Sequence, residues 1–529
     1  MTENATRILP LGVQSFPEIR KKGLLYVDKT DLVWYLANRG KKYNYLSRPR
    51  RFGKSLLVDT IQAYFEGKKE LFEGLKIMQL EKEWVKMPVL RFDMSIAGAT
   101  PDTLHAYLDD AFRGYEKEYE IEIAGKKTSL AVRFKNIIEG AFRKTGQQVV
   151  ILIDEYDSPL QHSWKTPEHD ACTAIYKEVF AILKRADEFE RFVFITGITK
   201  FTQISLFSVL NNLTNISFDP QFAAICGITK DEVVDNFKPE IEEMGEVNGW
   251  TPEETVLQLK AYYDGYHFSR RNMVDVFNPF SLLNALADKD LQSYWAASGA
   301  TSMLPKFVDD LELRLPEFED CCLDRVTIET SDVTGGGSEL FLYQSGYLTI
   351  KGYEEGVYLL GIPNHEVRQA LYKVVVPALT MKTNAQAITS QSQLLRAVQR
   401  GDLDGAKKAL KSLVADVPYS NKKLASMDME ERYRLIISTI FNAIGLKVEV
   451  ERMMATGRID MVVYAHRIIY VLELKLTNNG GLKAAESQIN DRDYTQPFQA
   501  DGRQVIALAV ELDSMGKGLI DWKKVEGKE

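Results

Sequence analysis

Cysteine is scarce in this chain: four residues, Cys172, Cys226, Cys321 and Cys322, among 529. They form no CxxC pair and no His-spaced set, which argues against a disulfide framework and against a zinc module and fits reduced thiols in a cytoplasmic protein. Histidine is sparse too, with six residues scattered so that none pairs at metal spacing. Long hydrophobic runs are missing. No apolar stretch approaches the roughly 20 residues of a membrane span. The opening MTENATRILPLG lacks a charged segment followed by an apolar core, so no signal peptide is expected and no membrane partner. Positive charge is not in excess either: Lys and Arg total 66 against 74 Asp and Glu, a net charge of −8. A protein that coats duplex nucleic acid is usually basic. Any such contact must therefore rest on local patches.

What is present is an ordinary globular mixture, 45% hydrophobic and 26% charged. At roughly 150 residues per domain, this length allows three or four domains. The first 220 residues alternate strand and helix patterns. YNYL at 43–46 reads as a strand and LLVDTIQAYF as the helix after it. VLRF at 89–92 is a second strand, followed by a helical zone over 102–143. The continuous apolar run Val149 to Ile153 suits a strand buried on both faces, and RFVFITGI at 191–198 another, with a helical zone (171–186) between them. Such alternation predicts a parallel α/β sheet. From 221 to 420 the pattern becomes a mostly helical accessory region with a small winged β-element, in which LFLYQSGYLTI and GVYLLGIPN read as aromatic strands. Residues 390–415 read as amphipathic helices. PYSNKK at 418–423 marks a boundary. The last segment, 421–529, is a small α/β domain: helix 430–444, strands 446–452, 459–464 and 468–474, helix 482–494, strand 504–510.

The first chemical constellation lies between a strand and a helix: Arg48-Pro49-Arg50-Arg51-Phe52-Gly53-Lys54-Ser55. A phosphate-binding loop GxxxxGK[ST] cradles phosphates on backbone amides, sends its Lys to the terminal phosphates and binds Mg²⁺ through its hydroxyl. Gly53-Lys54-Ser55 matches the second half, while Arg48 replaces the first glycine. A bare GKS is a weak signal; its position at a helix N-terminus, with free amides and a favourable dipole, strengthens it. About 100 residues on, the apolar strand Ile151-Leu152-Ile153 ends in Asp154-Glu155. An Asp there would hold Mg²⁺ and a Glu would orient the attacking water of an ATPase; the bland alternative is a helix cap at Asp154. Thr196, Thr199 and Lys200, at the end of the next strand, are candidates to sense a γ-phosphate.

The second constellation is Gly457-Arg458-Ile459-Asp460-Met461 followed by Val471-Leu472-Glu473-Leu474-Lys475. Glu473 and Lys475 share one strand face. Asp460 can meet them across a hairpin turning at Ala465-His466-Arg467. Two opposite charges, Glu473 and Lys475, in an otherwise apolar strand need a reason. Carboxylate oxygens bind Mg²⁺ or Mn²⁺, the metal activates water, and a Lys stabilises the charge that develops on a phosphodiester.

RPRRFGKSLL, LIDEYDSPL, FITGITKFTQISLFSVLNNLTNIS, YYDGYHF with VFNPFSLL, and GIPNHEVR together resemble the AAA-ATPase-like family of bacterial and archaeal proteins, over residues 8 to 370. Arg48 departs from the general loop but not from this family's RPRRFGKS. The resemblance implies ATP held by Lys54 and Ser55, Asp154 and Glu155 as the Walker B pair, and Arg50 and Arg51 helping to hold phosphates. GRIDMVV, YVLELKL and AESQINDRDY, within 425 to 515, resemble the PD-(D/E)xK nuclease superfamily. That implies a restriction-endonuclease-like fold, with Asp460 and Glu473 as metal ligands and Lys475 as the catalytic lysine. An acidic ligand is expected on the first helix, Glu430 ahead of Glu431. Gln488 and Tyr494 would approach the nucleic-acid backbone. The expectation is an ATPase that controls a Mg²⁺- or Mn²⁺-dependent nuclease, acting on DNA rather than RNA. The alternatives are a nucleotide-switched module that binds nucleic acid without cutting it, and an inactive remnant, against which the intact motif residues speak. A homo-oligomer fits the ring-forming habit of AAA-type ATPases, although no arginine placed to act in trans stands out. His267 in YYDGYHF reads as packing rather than nucleotide contact. The lead-in Gly12 to Asp28, with DKT at 28–30, reads as either adenine contact or packing.

Overall fold

A computed structural model describes residues 8–122, 128–199, 213–296, 321–330, 337–380, 384–415, 427–454 and 457–526. Lys200 lies outside these residues. The chain divides into two compact units, one comprising residues 1–294 and 321–364, the other 295–320 and 365–529.

The first unit is built on a parallel sheet. Its strands are β1 (Tyr43–Ser47), β2 (Val89–Asp93), β3 (Val149–Asp154), β4 (Glu190–Gly197) and β5 (Thr214–Asn215), in the order β2-β3-β4-β1-β5. Every residue of β3 is buried, as its unbroken apolar run requires. Because β4 lies between β1 and β3, the ends of all three strands converge, and Thr196 comes beside Asp154. Helix Pro101–Glu118 starts on a Thr100 capping box, and helix Leu130–Thr145 starts on Ser129 and ends on left-handed Gly146. These two helices close one apolar layer through Phe112 and Phe134, whose rings stack at 5.3 Å and meet Phe92 of β2 edge-on.

A helical region follows in the same unit: Lys230–Asn236, Lys238–Asn248 and Pro252–Tyr263, with a two-stranded ribbon of β6 (Ile228–Thr229) and β7 (Val276–Phe277). The small β-element is an antiparallel sheet of β8 (Cys321–Asp324), β9 (Thr349–Glu354) and β10 (Val357–Gly361), ordered β8-β10-β9. The aromatic stretch LFLYQS, read as a strand, is instead the helix Gly337–Ser345. Leu340, Phe341 and Leu342 are all buried, and an apolar run buried on every side carries no period to separate helix from strand.

The second unit carries a five-stranded mixed sheet of β11 (Lys447–Met454), β12 (Gly457–Tyr464), β13 (Ile468–Leu476), β14 (Gln504–Leu512) and β15 (Leu519–Val525), paired in sequence order. Only β13 and β14 are parallel. A parallel pair needs a crossover, which the helix Gly481–Arg492 supplies. Strand β15 has no counterpart in the sequence reading. The helices Asn384–Arg400 and Leu403–Val414, placed by sequence in the accessory region, belong to this unit. Tyr470 of β13 donates its hydroxyl to Val398 O at 2.6 Å, Trp522 its indole N–H to Leu403 O at 3.2 Å, and Lys407 pairs with Asp521 at 2.9 Å. Among the described residues, no helix is long and apolar enough to cross a membrane.

Candidate functional site

The candidate phosphate loop leaves the end of β1 and enters the helix Lys54–Phe65 through Gly53, at φ +84°. No protein atom lies within 4 Å of where a Cβ would project from Gly53. The left-handed conformation asks for glycine, and the open space leaves the helix N-terminus accessible. Arg51 also adopts φ +70°, an uncommon conformation for a non-glycine residue and one that tends to mark a functional site. The Lys54 ammonium is buried and folded across the loop, donating to Arg48 O and Pro49 O at 3.1 Å each.

Arg48, in place of the first glycine, points away from this cradle. It is 1% exposed; its guanidinium donates to Ser47 O, Ser217 O and Phe222 O and sits 4.0 Å over the Phe268 ring. These contacts anchor the loop. Phe52, inside the loop, packs edge-on against Tyr266 at 4.7 Å and Phe268 at 5.5 Å. The YYDGYHF segment is thus the bed on which the loop rests. His267 lies within it, with its Nε2 at 2.8 Å from Asp275 Oδ1. Arg51 stacks over Phe280 at 5.0 Å, and Arg50 reaches Gln161 at 3.5 Å.

Asp154 ends β3. Its Oδ1 accepts the Thr196 hydroxyl at 2.5 Å and the Glu155 amide at 3.0 Å. Glu155 follows at φ +47°, turned out of the strand direction. Burial raises its pKa, opposed by the charge of Lys54 and reinforced by Asp154. Thr199 faces elsewhere. It donates to Asp157 at 2.6 Å and accepts from Gln161 at 3.0 Å. Sequence reasoning passed over Asp157, which is buried and takes the amides of Ile198 and Thr199 and the side chains of Thr199 and Gln161. The cue was its position in DEYDSPL, three residues after Asp154. A Cβ on Gly197 would come within 2.5 Å of Asp157 Oδ1, so this corner admits only glycine.

Beside Gly53 opens a mostly apolar cavity of about 110 Å³, lined among others by Tyr26, Lys29, Leu56, Cys226 and Ile228. The lead-in containing DKT therefore borders the phosphate loop. Lys29 is held by Glu232 at 2.6 Å.

In the second unit, the hairpin forms where the sequence placed it, with the Ala465 amide bonded to Ile468 O at 2.8 Å. Asp460 and Glu473 come together across it. Asp460 Oδ2 accepts the Leu474 amide at 2.9 Å. Glu473 is fully buried; its Oε1 takes the Lys475 ammonium at 2.8 Å, and among the described residues its Oε2 has no partner. Burial, with Asp460 adding to it, pushes the Glu473 pKa up to about 7. Glu430 faces the same cluster: burial raises its pKa, Lys475 opposing and Asp460 adding to the shift. Two residues that sequence reasoning missed complete the group. Arg434, one turn beyond Glu430, pairs tightly with Glu451, and its guanidinium stands 3.9 Å from Asp460 Oδ1 and 3.8 Å from Glu430.

Tyr494 is fully buried and donates to Arg458 O at 2.7 Å, while Gln488 donates to the Tyr494 hydroxyl at 3.0 Å. The tyrosine braces the start of β12, so of this pair only Gln488 is partly exposed.

Among the described residues, no three His, Cys, Asp or Glu side chains are already drawn into a ligand set. The donors nonetheless suit a hard cation. Mg²⁺ commonly binds through one or two carboxylates and keeps several waters; Glu473 Oε2 is unpartnered among the described residues, Asp460 is close enough to raise the Glu473 pKa, and Arg434 stands 3.9 Å from Asp460 Oδ1.

A candidate phosphate loop at the carboxyl end of a parallel sheet and a carboxylate–lysine cluster on a mixed sheet fit a nucleotide-binding protein with a nuclease-like domain. The chain belongs to the AAA-ATPase-like family and carries a PD-(D/E)XK domain. Residues 10–207 match the family described as predicted AAA-ATPase, and residues 428–522 match the PD-(D/E)XK nuclease superfamily. The chain is also 30% identical over 526 residues to a protein of Azotobacter chroococcum mcd 1 described as an uncharacterized protein in the vnfD 5' region, covering 97% of this chain and 98% of that one.

Proposed function

We propose that the first unit binds and hydrolyses ATP and that this controls phosphodiester cleavage, of DNA rather than RNA, by the second. The observation that carries the nuclease reading is the meeting of Asp460, Glu473 and Lys475 across one hairpin, with a buried carboxylate oxygen left unpartnered among the described residues. An isolated buried carboxylate oxygen is costly, and a divalent cation is the partner that this donor chemistry suits.

In the first unit, the amides from Gly53 onward cradle the phosphates and Lys54 swings from the loop carbonyls to the terminal phosphates. Arg50 and Arg51 flank them. Ser55 and Asp154 hold Mg²⁺, and Glu155 orients water. The apolar cavity beside Gly53 receives the base. In the second unit, Asp460 and Glu473, with Glu430 nearby, hold Mg²⁺ or Mn²⁺. The cation, when bound, polarises the phosphate and makes its water acidic. Lys475, fixed by Glu473, neutralises charge on the scissile group, and Gln488 contacts the backbone. A cytoplasmic location and a homo-oligomeric state fit this reading.

The test is cleavage of plasmid and single-stranded DNA by the full chain with Mg²⁺ or Mn²⁺, with and without ATP, beside Asp460→Ala and Lys54→Ala. Cleavage should disappear in Asp460→Ala while ATP turnover stays. Nucleotide affinity should fall in Lys54→Ala. ATP binding without cleavage under any condition would replace this reading with a nucleotide-switched module that binds nucleic acid.

A further inference from the structure

The nuclease centre contains more charge than its motif needs. Four carboxylates, Glu430, Glu451, Asp460 and Glu473, face three cations, Arg434, Arg458 and Lys475. Lys475 is committed to Glu473. Arg434 is the cation placed among the others. Its side chain is only 10% exposed, and one guanidinium edge is clamped by Glu451 while the other stands 3.8 Å from Glu430 and 3.9 Å from Asp460 Oδ1. Neither of the latter is a hydrogen bond at that length.

Glu451 is itself built in at a cost. The strand pairs Val450–Met461 and Arg452–Ile459 place it opposite Asp460, yet its φ is +54°, a strained conformation for a non-glycine residue inside a strand. Its carboxylate also takes Arg458 at 3.0 Å. A strained residue that grips a buried guanidinium, directly across from a candidate metal ligand, has a positional purpose.

We propose that Arg434 is the resident counter-cation of the nuclease centre: held just off Asp460 by Glu451, it stands in part for the charge of the divalent metal and so sets how tightly that metal binds. Glu451 is its positioning residue. The inference rests on the reading of Asp460 and Glu473 as metal ligands. With the metal bound, Arg434 remains an additional positive charge beside Asp460, so it weakens metal binding through repulsion. Freed from Glu451, the guanidinium would close onto Asp460 Oδ1 and weaken metal binding further.

The test is calorimetric titration of the full chain with Mn²⁺ alone, without nucleotide or nucleic acid. Removing one unit charge about 4 Å from a ligand should alter affinity by at least about fivefold, the limit set by full water screening. Arg434→Gln should bind Mn²⁺ at least about fivefold more tightly, and Arg434→Lys, which keeps the charge, should stay near the wild type. Glu451→Gln should bind more weakly, and that loss should largely vanish when Arg434→Gln is also present. Arg458→Gln, which removes a more exposed cation from the same carboxylate, should stay within about twofold. Opposite signs from the two partners of one ion pair cannot arise from general loosening of the fold. Unchanged or weaker binding in Arg434→Gln, or a shift of the same sign in Glu451→Gln, overturns the inference. Asp460→Asn separates it from its premise: if that variant still binds Mn²⁺ like the wild type, the metal-ligand reading fails, whereas loss of binding there with no response at Arg434 removes the counter-cation alone.

Discussion

The hydroxyl of Thr196 donates to Asp154 Oδ1 at 2.5 Å, joining the ends of two adjacent parallel strands at the carboxyl end of the sheet, where the candidate phosphate loop also begins. The same hydroxyl lies 3.3 Å from the Glu155 amide. Thr196 therefore orients both acidic residues without being acidic itself.

Thr196→Val keeps the shape and removes the donor. A hydrogen bond to a charged group contributes about 1.5–3 kcal/mol. ATP turnover should accordingly fall by about 10- to 100-fold, with nucleotide affinity changed only a few-fold. Parallel measurement of steady-state turnover and equilibrium binding checks this. Equal losses in both would show that the threonine supports the fold of the site rather than the orientation of Asp154.

Arg48→Gly would recreate the general loop pattern, and it should destabilise the protein. Three backbone carbonyls lose their donor and the Phe268 ring loses its cation. Leaving buried carbonyls without their donor typically costs about 1–3 kcal/mol. Denaturant unfolding followed by tryptophan fluorescence gives the value. A stability equal to the wild type would show that the arginine is not the anchor of the loop.

At the other end of the sheet, Glu190 is fully buried with Tyr43 on one oxygen at 2.7 Å and, among the described residues, no partner on the other. Burial raises its pKa to about 8 from 4.5. The folded state thus retains a proton that the unfolded chain releases, so the stabilising contribution is complete below about pH 4.5 and is lost as pH rises through 8. Melting temperature should decline over that window. Glu190→Gln, neutral at every pH, should flatten the decline; an unchanged slope would place the titration elsewhere.

Glu473 must be ionised to hold a cation, and its pKa lies at about 7. Mn²⁺ affinity should therefore rise as pH increases toward 7 and level off above it, by up to about tenfold per pH unit on the acidic side. Glu473→Gln should remove both the binding and its pH dependence. Titrations at four pH values between 5.5 and 8.5 would separate this from a flat profile, which would exclude Glu473 as a ligand.

Much of this arrangement was legible in the sequence because it rests on short-range pattern. The run Val149–Ile153 gave a buried strand, and Glu473-Leu474-Lys475 gave two charges on one face, because strand periodicity is local. Asp460 could be placed opposite them because a hairpin fixes register. Other features depend on contacts that no period records. Arg48 appears in sequence as a phosphate-loop departure, and only its carbonyl partners more than 160 residues away show it to be an anchor. Asp157 shares its carboxylate chemistry with Asp154 and Glu155, and only the amides of β4's exit separate its role from theirs. Tyr494 has the right spacing for a backbone contact, but its hydroxyl is consumed by Arg458 O. Arg434 and Glu451 come from a helix and a strand whose meeting depends on tertiary packing. The division of the chain at residue 364 is likewise a matter of which sheet the later helices cover.

That last point governs how the protein can be cut. A fragment beginning near residue 421, where the sequence suggests a boundary, would leave behind both helices that seal the C-terminal sheet. Trp522 would lose its carbonyl acceptor, Tyr470 would lose Val398, and Gly518, whose missing side chain lets Val414 O approach closely, would face water. Such a fragment presents apolar surface and tends to self-associate, so an isolated nuclease domain has to begin before residue 384.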